Sequence, residues 1–342
     1  MLNRRSLVAA ALAGLAGLAA PAFAAPSGDY RRALATAYGG DVDPMAAHRL
    51  AIAATRRLQA RADRLLRSQG LTEGDVAARL RALAKDPRWL YADDQAGRDR
   101  AVADMNARLA AIRPKLAAVF GDLPIAPAEV RRMSGPDEAK GRGGYREVPH
   151  DGQPGAYYVD LKAIRGRPAW TLASVAFHEL TPGHLLQAPL QDAAHPDPQR
   201  VREATAFSEA WAIYAEQLAA DLGAYADDPM AEIGFLQWRL FRLGRVVADT
   251  GLHARGWSRG QAIAAMAALQ GQSIAFITIE ADVDRMIQTP GKVAAEGLGA
   301  LTLSRLRPAR RTAWPEFHRT VLQASPWPFG ALERRRRGQS RL

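Results

Sequence analysis

Apolar residues recur every three to four positions through most of this 342-residue chain. Residues 45–68 show the pattern clearly, with Ile52, Leu58 and Leu65 on one side, and this spacing is typical of an amphipathic helix. The same spacing predicts further helices over residues 76–84, 92–120, 170–180, 203–222, 230–250, 258–269, 273–288, 291–307 and 314–324. The chain is therefore predicted to be mainly α, with one helical domain over residues 25–332.

One stretch departs from the helical pattern. Tyr145–Leu161 contains consecutive aromatic and β-branched residues after Gly152 and a Pro154-Gly155 pair. Such a run between turn residues predicts a β-hairpin or a single strand. Residues 121–144 are rich in proline, glycine and charge, and we expect a loop there.

The N-terminus has the layout of an export signal. A short basic start with Arg4 and Arg5 precedes a small-residue apolar run, and Ala22-Phe23-Ala24 matches a cleavage site. The arginine pair resembles a twin-arginine signal, with a plain secretory signal as the alternative. We expect residues 1–24 to be removed, leaving a periplasmic or secreted protein without an integral membrane span.

The formal net charge of +11 is concentrated at the two ends. Arg4 and Arg5 lie in the signal, and residues 333–342 hold five more arginines. We interpret residues 333–342 as a basic, disordered tail. No aromatic residues alternate with these arginines, so we expect no nucleic-acid partner.

The chain contains no cysteine. Its absence excludes disulfides, thiolate zinc sites, iron–sulfur clusters and a cysteine nucleophile. Any transition metal must therefore be bound by histidine, aspartate or glutamate.

The candidate chemistry lies in one short segment, where His178 and Glu179 are followed by His184. In zincins two histidines four residues apart bind zinc from one helical face, and the intervening glutamate is a general base. A spacing of six would place the two imidazoles on different faces of a straight helix. Pro182 and Gly183 allow the helix to break, which would turn His184 back toward His178.

A catalytic zinc site needs a third protein ligand. Glu209 and Glu216, on the next predicted helix, are seven residues apart and lie on nearly the same face. One can bind the metal while the other orients a histidine or a substrate group. We favour Glu209 as the ligand, because it follows His184 by 25 residues, as in zincins whose third ligand lies on a following helix.

These segments resemble the domain of unknown function 885 family, a zinc-peptidase-like group related to the gluzincins. Residues 178–184 read His-Glu-Leu-Thr-Pro-Gly-His, and residues 209–216 read Glu-Ala-Trp-Ala-Ile-Tyr-Ala-Glu. Weaker matches lie at 86–91, 120–127, 249–253, 256–258, 289–291 and 317–318.

The resemblance implies a zincin-like domain with one Zn²⁺ per chain on His178, His184 and Glu209, a peptide substrate, and Glu179 as general base. It also implies that His253 and the strand carrying Tyr157 and Tyr158 line the cleft.

Two departures from the family pattern affect the expected chemistry. Members are usually longer at the N-terminal side, and they carry a Tyr-x-x-Gly sequence where residues 295–299 read Ala-Glu-Gly-Leu-Gly. Without that tyrosine, His253 or Arg245 would have to stabilise the oxyanion. Asp249, one turn before His253, would orient it or form a plain helix-surface pair.

The sequence leaves three functions open. The first is a secreted zinc peptidase, which we favour, with Tyr157–Asp160 as an edge for an extended peptide or as a plain structural hairpin. The second is a non-catalytic zinc-containing relative that binds peptides. The third is a basic envelope-associated protein that acts through its arginine tail.

Overall fold

The computed structural model describes residues 28–339 apart from 142, 151, 195–204, 273, 275–276 and 324–327. Most of these residues are helical, as the sequence predicts. The helices are α1 Gly28–Tyr38, α2 Pro44–Ser68, α3 Val76–Leu83, α4 Gln95–Phe120, α5 Gly135–Ala139, α6 Leu172–Glu179, α7 His184–Ala194, α8 Thr205–Asp221, α9 Pro229–Arg255, α10 Arg259–Gln270, α11 Ile279–Gln288, α12 Lys292–Leu306, α13 Trp314–Gln323 and α14 Phe329–Gln339. Four 3₁₀ turns join them, at Pro87–Trp89, Ile164–Gly166, Ala169–Thr171 and Arg311–Ala313.

Side-chain caps set the start of the long helices. Asp228 accepts a hydrogen bond from the Ala231 amide at the start of α9, and Asp94 caps α4 in the same way. These caps satisfy amide groups that have no partner inside the helix. At the far end of α9, Gly256 adopts a left-handed conformation that ends the helix.

A three-stranded sheet lies beside the helices, with strands β1 Ala128–Arg132, β2 Tyr145–Glu147 and β3 Gly155–Val159. β3 is central, antiparallel to β2 and parallel to β1. The expected hairpin over 145–161 is therefore present, but the expected loop over 121–144 is partly wrong. Residues 128–132 form β1, whose pairing with β3 depends on partners 27 positions along the chain, and short strands of this kind carry little local signal.

α9 runs through the centre of the fold, and most of its residues are buried. It packs against α2, α10 and α12, while α8 packs against α12 and α6. Buried apolar residues from these helices form a connected core. Because α6, α8, α9 and α12 meet here, polar residues on them face one another inside the protein.

The chain ends differ from expectation where the structure describes them. α14 continues to Gln339, so much of the tail expected to be disordered is helical, as a run of good helix formers permits. The helix expected from residue 273 begins at Ile279, where Thr278 caps it. The signal at residues 1–24 lies outside the described residues. None of the described helices is long and apolar enough to cross a membrane.

Candidate metal centre

The two histidines of the motif lie on different helices. α6 ends at Glu179 and α7 begins at His184, so the helix breaks across the Pro182-Gly183 step. The break brings the imidazole rings of His178 and His184 to a centroid distance of 4.9 Å. A Cβ atom on Gly183 would lie 1.9 Å from the His178 carbonyl oxygen, so only glycine fits this turn.

The turn is held from the neighbouring helix α8. The indole Nε1 of Trp211 donates a hydrogen bond of 2.9 Å to the Pro182 carbonyl. Trp211 and Pro182 therefore link the His178–His184 turn to the helix that carries Glu209. Because α8 also carries both candidate carboxylates, the Trp211–Pro182 hydrogen bond fixes the position of Glu209 and Glu216 relative to the two histidines.

Glu209 lies between the two imidazoles. Its Oε2 is 3.5 Å from Nε2 of His178, and its other oxygen, Oε1, is 3.3 Å from Nε2 of His184. The carboxylate therefore spans the gap between the two ring nitrogens. One donor atom from each of His178, His184 and Glu209 lies within 4.8 Å of the other two, so these residues fit a single zinc ion.

Further contacts indicate which nitrogen of each imidazole carries a hydrogen. Nδ1 of His178 lies 2.8 Å from a carboxylate oxygen of Glu216, which only accepts, so Nδ1 carries the hydrogen. Ser208 donates its hydroxyl hydrogen to Gln187 and lies 3.2 Å from Nδ1 of His184, so that nitrogen donates to it. Nε2 of His184 is buried and has no hydrogen-bond partner among the described residues. Carboxylate or hydroxyl contacts of this kind orient metal-binding histidines.

The charges of the cluster depend on one another. Burial favours the neutral form of Glu209, but its close contacts with His178 and His184 outweigh burial and hold the Glu209 pKa well below its usual value. Burial and the Arg242 charge lower the pKa of His178, yet Glu209 and Glu216 outweigh both and raise it to about 9. Burial lowers the pKa of His184, which favours the neutral form that binds a metal.

Glu179, the candidate base, follows His178 and forms an ion pair with Arg146 of β2. Tyr157 pairs with Arg146 across the sheet, so its buried side chain lies on the same face of β3 as Arg146. Tyr158 lies on the other face, because successive strand residues face opposite sides. Its ring stacks on Tyr145, 4.6 Å away, and its hydroxyl donates to Glu147. Neither tyrosine lines the cavity at the metal centre, which corrects the expectation for both.

A cavity of about 600 Å³ opens at the cluster. Two of the three candidate ligands, His178 and Glu209, line it together with residues of α9, α11 and α12. The lining residues include Ser174, His178, Glu179, Ser208, Glu209, Glu216, Trp238, Phe241, Arg242, Arg245, Ile277, Arg285, Thr289, Lys292 and Glu296.

Arg242 is a site residue that the sequence reasoning missed. Its guanidinium lies 3.2 Å from Nε2 of His178, and it also packs on the rings of Trp238 and Phe241. The signal was present: Arg239, Arg242 and Arg245 recur every three residues on a buried helix, where each charge requires a partner.

Glu296 was also not predicted as a site residue, although it lies in the segment 295–299, which lacks the tyrosine of the family pattern. It is buried on α12 and lines the cavity. Burial and then the charge of Glu209 raise its pKa to about 7.

The structure does not bring His253 to the cluster. His253 lies eleven residues beyond Arg242 on α9, about 16 Å along the helix, where its Nε2 donates to the Met286 carbonyl and its ring stacks on Tyr30. Its expected role at an oxyanion is therefore wrong, because the rise of the helix carries it away.

Arg245 lies at the cavity, whereas Asp249 lies away from it, beside His253. Asp249 accepts the amides of Gly291 and Ala294 at the start of α12, and burial raises its pKa to about 7; it is 3.6 Å from His253 but acts as a helix cap. Arg245 lines the cavity, but its guanidinium forms a bidentate pair with Asp282 at 2.7 and 2.9 Å.

Sequence comparison assigns the chain to a family. The family model described as a bacterial protein of unknown function (DUF885) matches residues 6–335. This protein belongs to the DUF885 family. None of the curated proteins matches its sequence.

Two solved structures resemble this DUF885 chain. A predicted lipoprotein from Colwellia psychrerythraea is 32% identical, with a TM-score of 0.80 over 90% of this chain and 54% of its own. A predicted lipoprotein of unknown function from Shewanella oneidensis is 18% identical, with a TM-score of 0.70 over 96% of this chain and 63% of its own. This chain therefore spans less than two thirds of the length of either structure, and the second likeness shows the fold alone.

Proposed function

We propose that this protein is a zinc-dependent peptidase. The observation that carries the proposal is the cluster of His178, His184 and Glu209, in which one donor atom from each residue lies within 4.8 Å of the other two. Glu179 follows the first ligand in sequence and lines the same cavity. A metal beside a carboxylate base in an open cavity is the arrangement that amide hydrolysis requires.

Bound zinc would lower the pKa of a water molecule and polarise the scissile carbonyl. Glu179 takes a proton from the attacking water and passes it to the leaving nitrogen. The amide C–N bond breaks as the water oxygen joins the acyl carbon, so that one water is consumed for each bond cleaved. Glu216 holds His178 in the tautomer that leaves Nε2 free.

Arg242 is our candidate for oxyanion stabilisation, in place of His253. Its guanidinium lines the cavity and lies 3.2 Å from Nε2 of His178. An ion pair of 3.9 Å between its Nε and Glu216 holds the side chain in place. A fixed, charged donor at that position would stabilise developing negative charge more strongly than the missing tyrosine.

One contact favours a second candidate function. The pair between Glu179 and Arg146 occupies the carboxylate that must act as base. If this pair persists with substrate bound, the protein binds zinc and peptides without hydrolysing them.

We also propose that the protein acts outside the cytoplasm. The signal layout at residues 1–24 and the names of the two similar structures, both predicted lipoproteins, support export.

The test combines metal content with peptide hydrolysis. Purified wild-type protein should contain one zinc ion per chain and cleave members of a peptide library, with activity lost on chelation and restored by zinc. Glu179→Gln should keep the zinc and lose at least about 100-fold in rate, because it can no longer accept a proton. Glu73→Gln, at an exposed position, is the matched control.

Two results would contradict the proposal. Undiminished cleavage by Glu179→Gln would remove Glu179 as base. Zinc binding without any cleavage by the wild-type protein would favour the non-catalytic candidate.

A further inference from the structure

The charged residues that line the cavity come from two groups of helices. The acidic residues Glu179, Glu209 and Glu216 come from α6 and α8. Helices α9, α11 and α12 supply four cations, namely Arg242, Arg245, Arg285 and Lys292, of which Arg242 lies 3.9 Å from Glu209 and from Glu216. Glu296 is the single acidic lining residue on those three helices among those described.

The three acidic residues on α6 and α8 already have partners. Glu209 contacts both imidazoles, Glu216 contacts His178, and Glu179 pairs with Arg146. Cationic and anionic residues are equal in number along the described lining. A divalent ion on the histidines would therefore leave the cavity with net positive charge.

Two of the cations remain available to a ligand. Arg285 shares Asp282 with Arg245, and its side chain is 47% exposed. Lys292, the first residue of α12, is exposed and forms no ion pair within 4.0 Å among the described residues. They lie on either side of the short turn between α11 and α12, and both line the cavity.

Arg245 is held more firmly than Arg285 and Lys292. Asp282 is fully buried and accepts two hydrogen bonds from Arg245 and one from Arg285. This network holds Arg245 and Arg285 against one carboxylate, so both guanidinium groups are positioned before a ligand arrives. We call Arg245, Arg285 and Lys292 the cationic wall.

We propose that the cationic wall binds the C-terminal carboxylate of a peptide whose scissile carbonyl lies at the metal centre. The inference rests on the proposed function and makes it a carboxypeptidase. A carboxylate matches both the sign of the wall and the geometry of guanidinium and ammonium donors. A cavity of about 600 Å³ is of the size that holds a small ligand or the end of a peptide.

The hydrolytic test uses one alanine-rich tetrapeptide in three forms: with both ends free, with the amino end acetylated, and with the carboxyl end amidated. With zinc-loaded wild-type protein, amidation should lower kcat/KM by at least about tenfold, the loss expected for one charge-assisted contact. Acetylation should leave it unchanged.

Variants of the wall supply the second comparison. Lys292→Gln should raise KM for the free peptide by about tenfold, without changing kinetics on the amidated form. Lys162→Gln, at an exposed position outside the cavity, is the matched control and should behave as wild type.

A binding measurement separates this inference from the proposed function. Zinc-loaded Glu179→Gln is titrated calorimetrically with the free and the amidated peptide, and the free peptide should bind about tenfold more tightly. That preference supports the inference even if the wild-type protein cleaves neither form, a result that would overturn only the proposed hydrolysis.

Equal binding and equal cleavage of the two forms would overturn the inference and leave the peptidase proposal intact. A loss on acetylation rather than amidation would also overturn it. That result would point to recognition of the amino end, for which the buried carboxylate of Glu296 is the available group.

Discussion

Zinc should stabilise the folded protein only while its three ligands are intact, and His184→Ala is the direct perturbation. Nε2 of His184 is buried, has no hydrogen-bond partner among the described residues and lies 3.3 Å from Glu209. Alanine removes this nitrogen but leaves the backbone of α7 able to form. We therefore expect the variant to fold and to lose the zinc response.

The size of the response follows from linkage. A ligand at 1,000 times its dissociation constant stabilises the folded state by about 4.1 kcal/mol. Unfolding entropies of about 2.1 cal/mol/K per residue give about 0.7 kcal/mol/K for 342 residues. The unfolding temperature should therefore rise by about 6 °C in wild-type protein and by nothing measurable in His184→Ala.

A second variant should reduce the zinc-dependent rise in unfolding temperature without abolishing it. Glu216→Gln removes the carboxylate that holds Nδ1 of His178 at 2.8 Å, and losing such a contact weakens metal binding by about 10- to 100-fold. This loss equals about 1.4–2.7 kcal/mol, so the zinc-dependent rise should be smaller by about 2–4 °C.

The assay is thermal unfolding followed by circular dichroism, with chelator-treated protein titrated with zinc. His150→Ala, which removes an exposed histidine outside the cluster, should keep the full response. An equal rise in wild-type protein and His184→Ala would refute the assignment of the metal centre, as would no rise in the wild-type protein.

Three further predictions follow from buried contacts. Gly183→Ala should abolish zinc binding in a metal-content assay, because its Cβ would lie 1.9 Å from the His178 carbonyl oxygen; stoichiometric zinc would contradict this. Asp282→Asn should destabilise the protein by about 3–5 kcal/mol in urea unfolding, because it leaves Arg245 buried without its counter-charge; a loss below about 1 kcal/mol would be inconsistent with that pair. Burial lowers the pKa of His318 to about 4. Between pH 6.5 and 4 this histidine is therefore protonated in the unfolded chain before it is protonated in the folded one, and the free energy of unfolding falls as the pH drops. His318→Gln should reduce that fall by about 3 kcal/mol between pH 7 and 4, and an unchanged pH dependence of urea unfolding would contradict the shift.

Helices were predictable because their signals are local. Apolar spacing and capping residues such as Asp94 and Asp228 act within a few positions of one another. The candidate ligands could also be named, since His178, His184 and Glu209 belong to two short motifs. The mainly α fold and the family membership are confirmed.

Other features required the folded chain. β1 pairs with a strand 27 positions away, and no local pattern marks that partner. Arg242 enters the cavity because α9 packs across α6 and α8, whereas His253, three turns further along α9, lies against Met286. Residues on one helical face separate by about 1.5 Å per position, so a shared face does not place two residues in one site.

The amino-acid sequence by itself determined the helical character, the break at Pro182-Gly183 and the identity of the candidate metal-binding side chains, because periodicity, capping and backbone restriction act between near neighbours. Only the tertiary structure decided which carboxylate meets which imidazole and which cations face them. Those choices depend on how α6, α8, α9 and α12 pack, and packing is determined by contacts between residues distant in the chain.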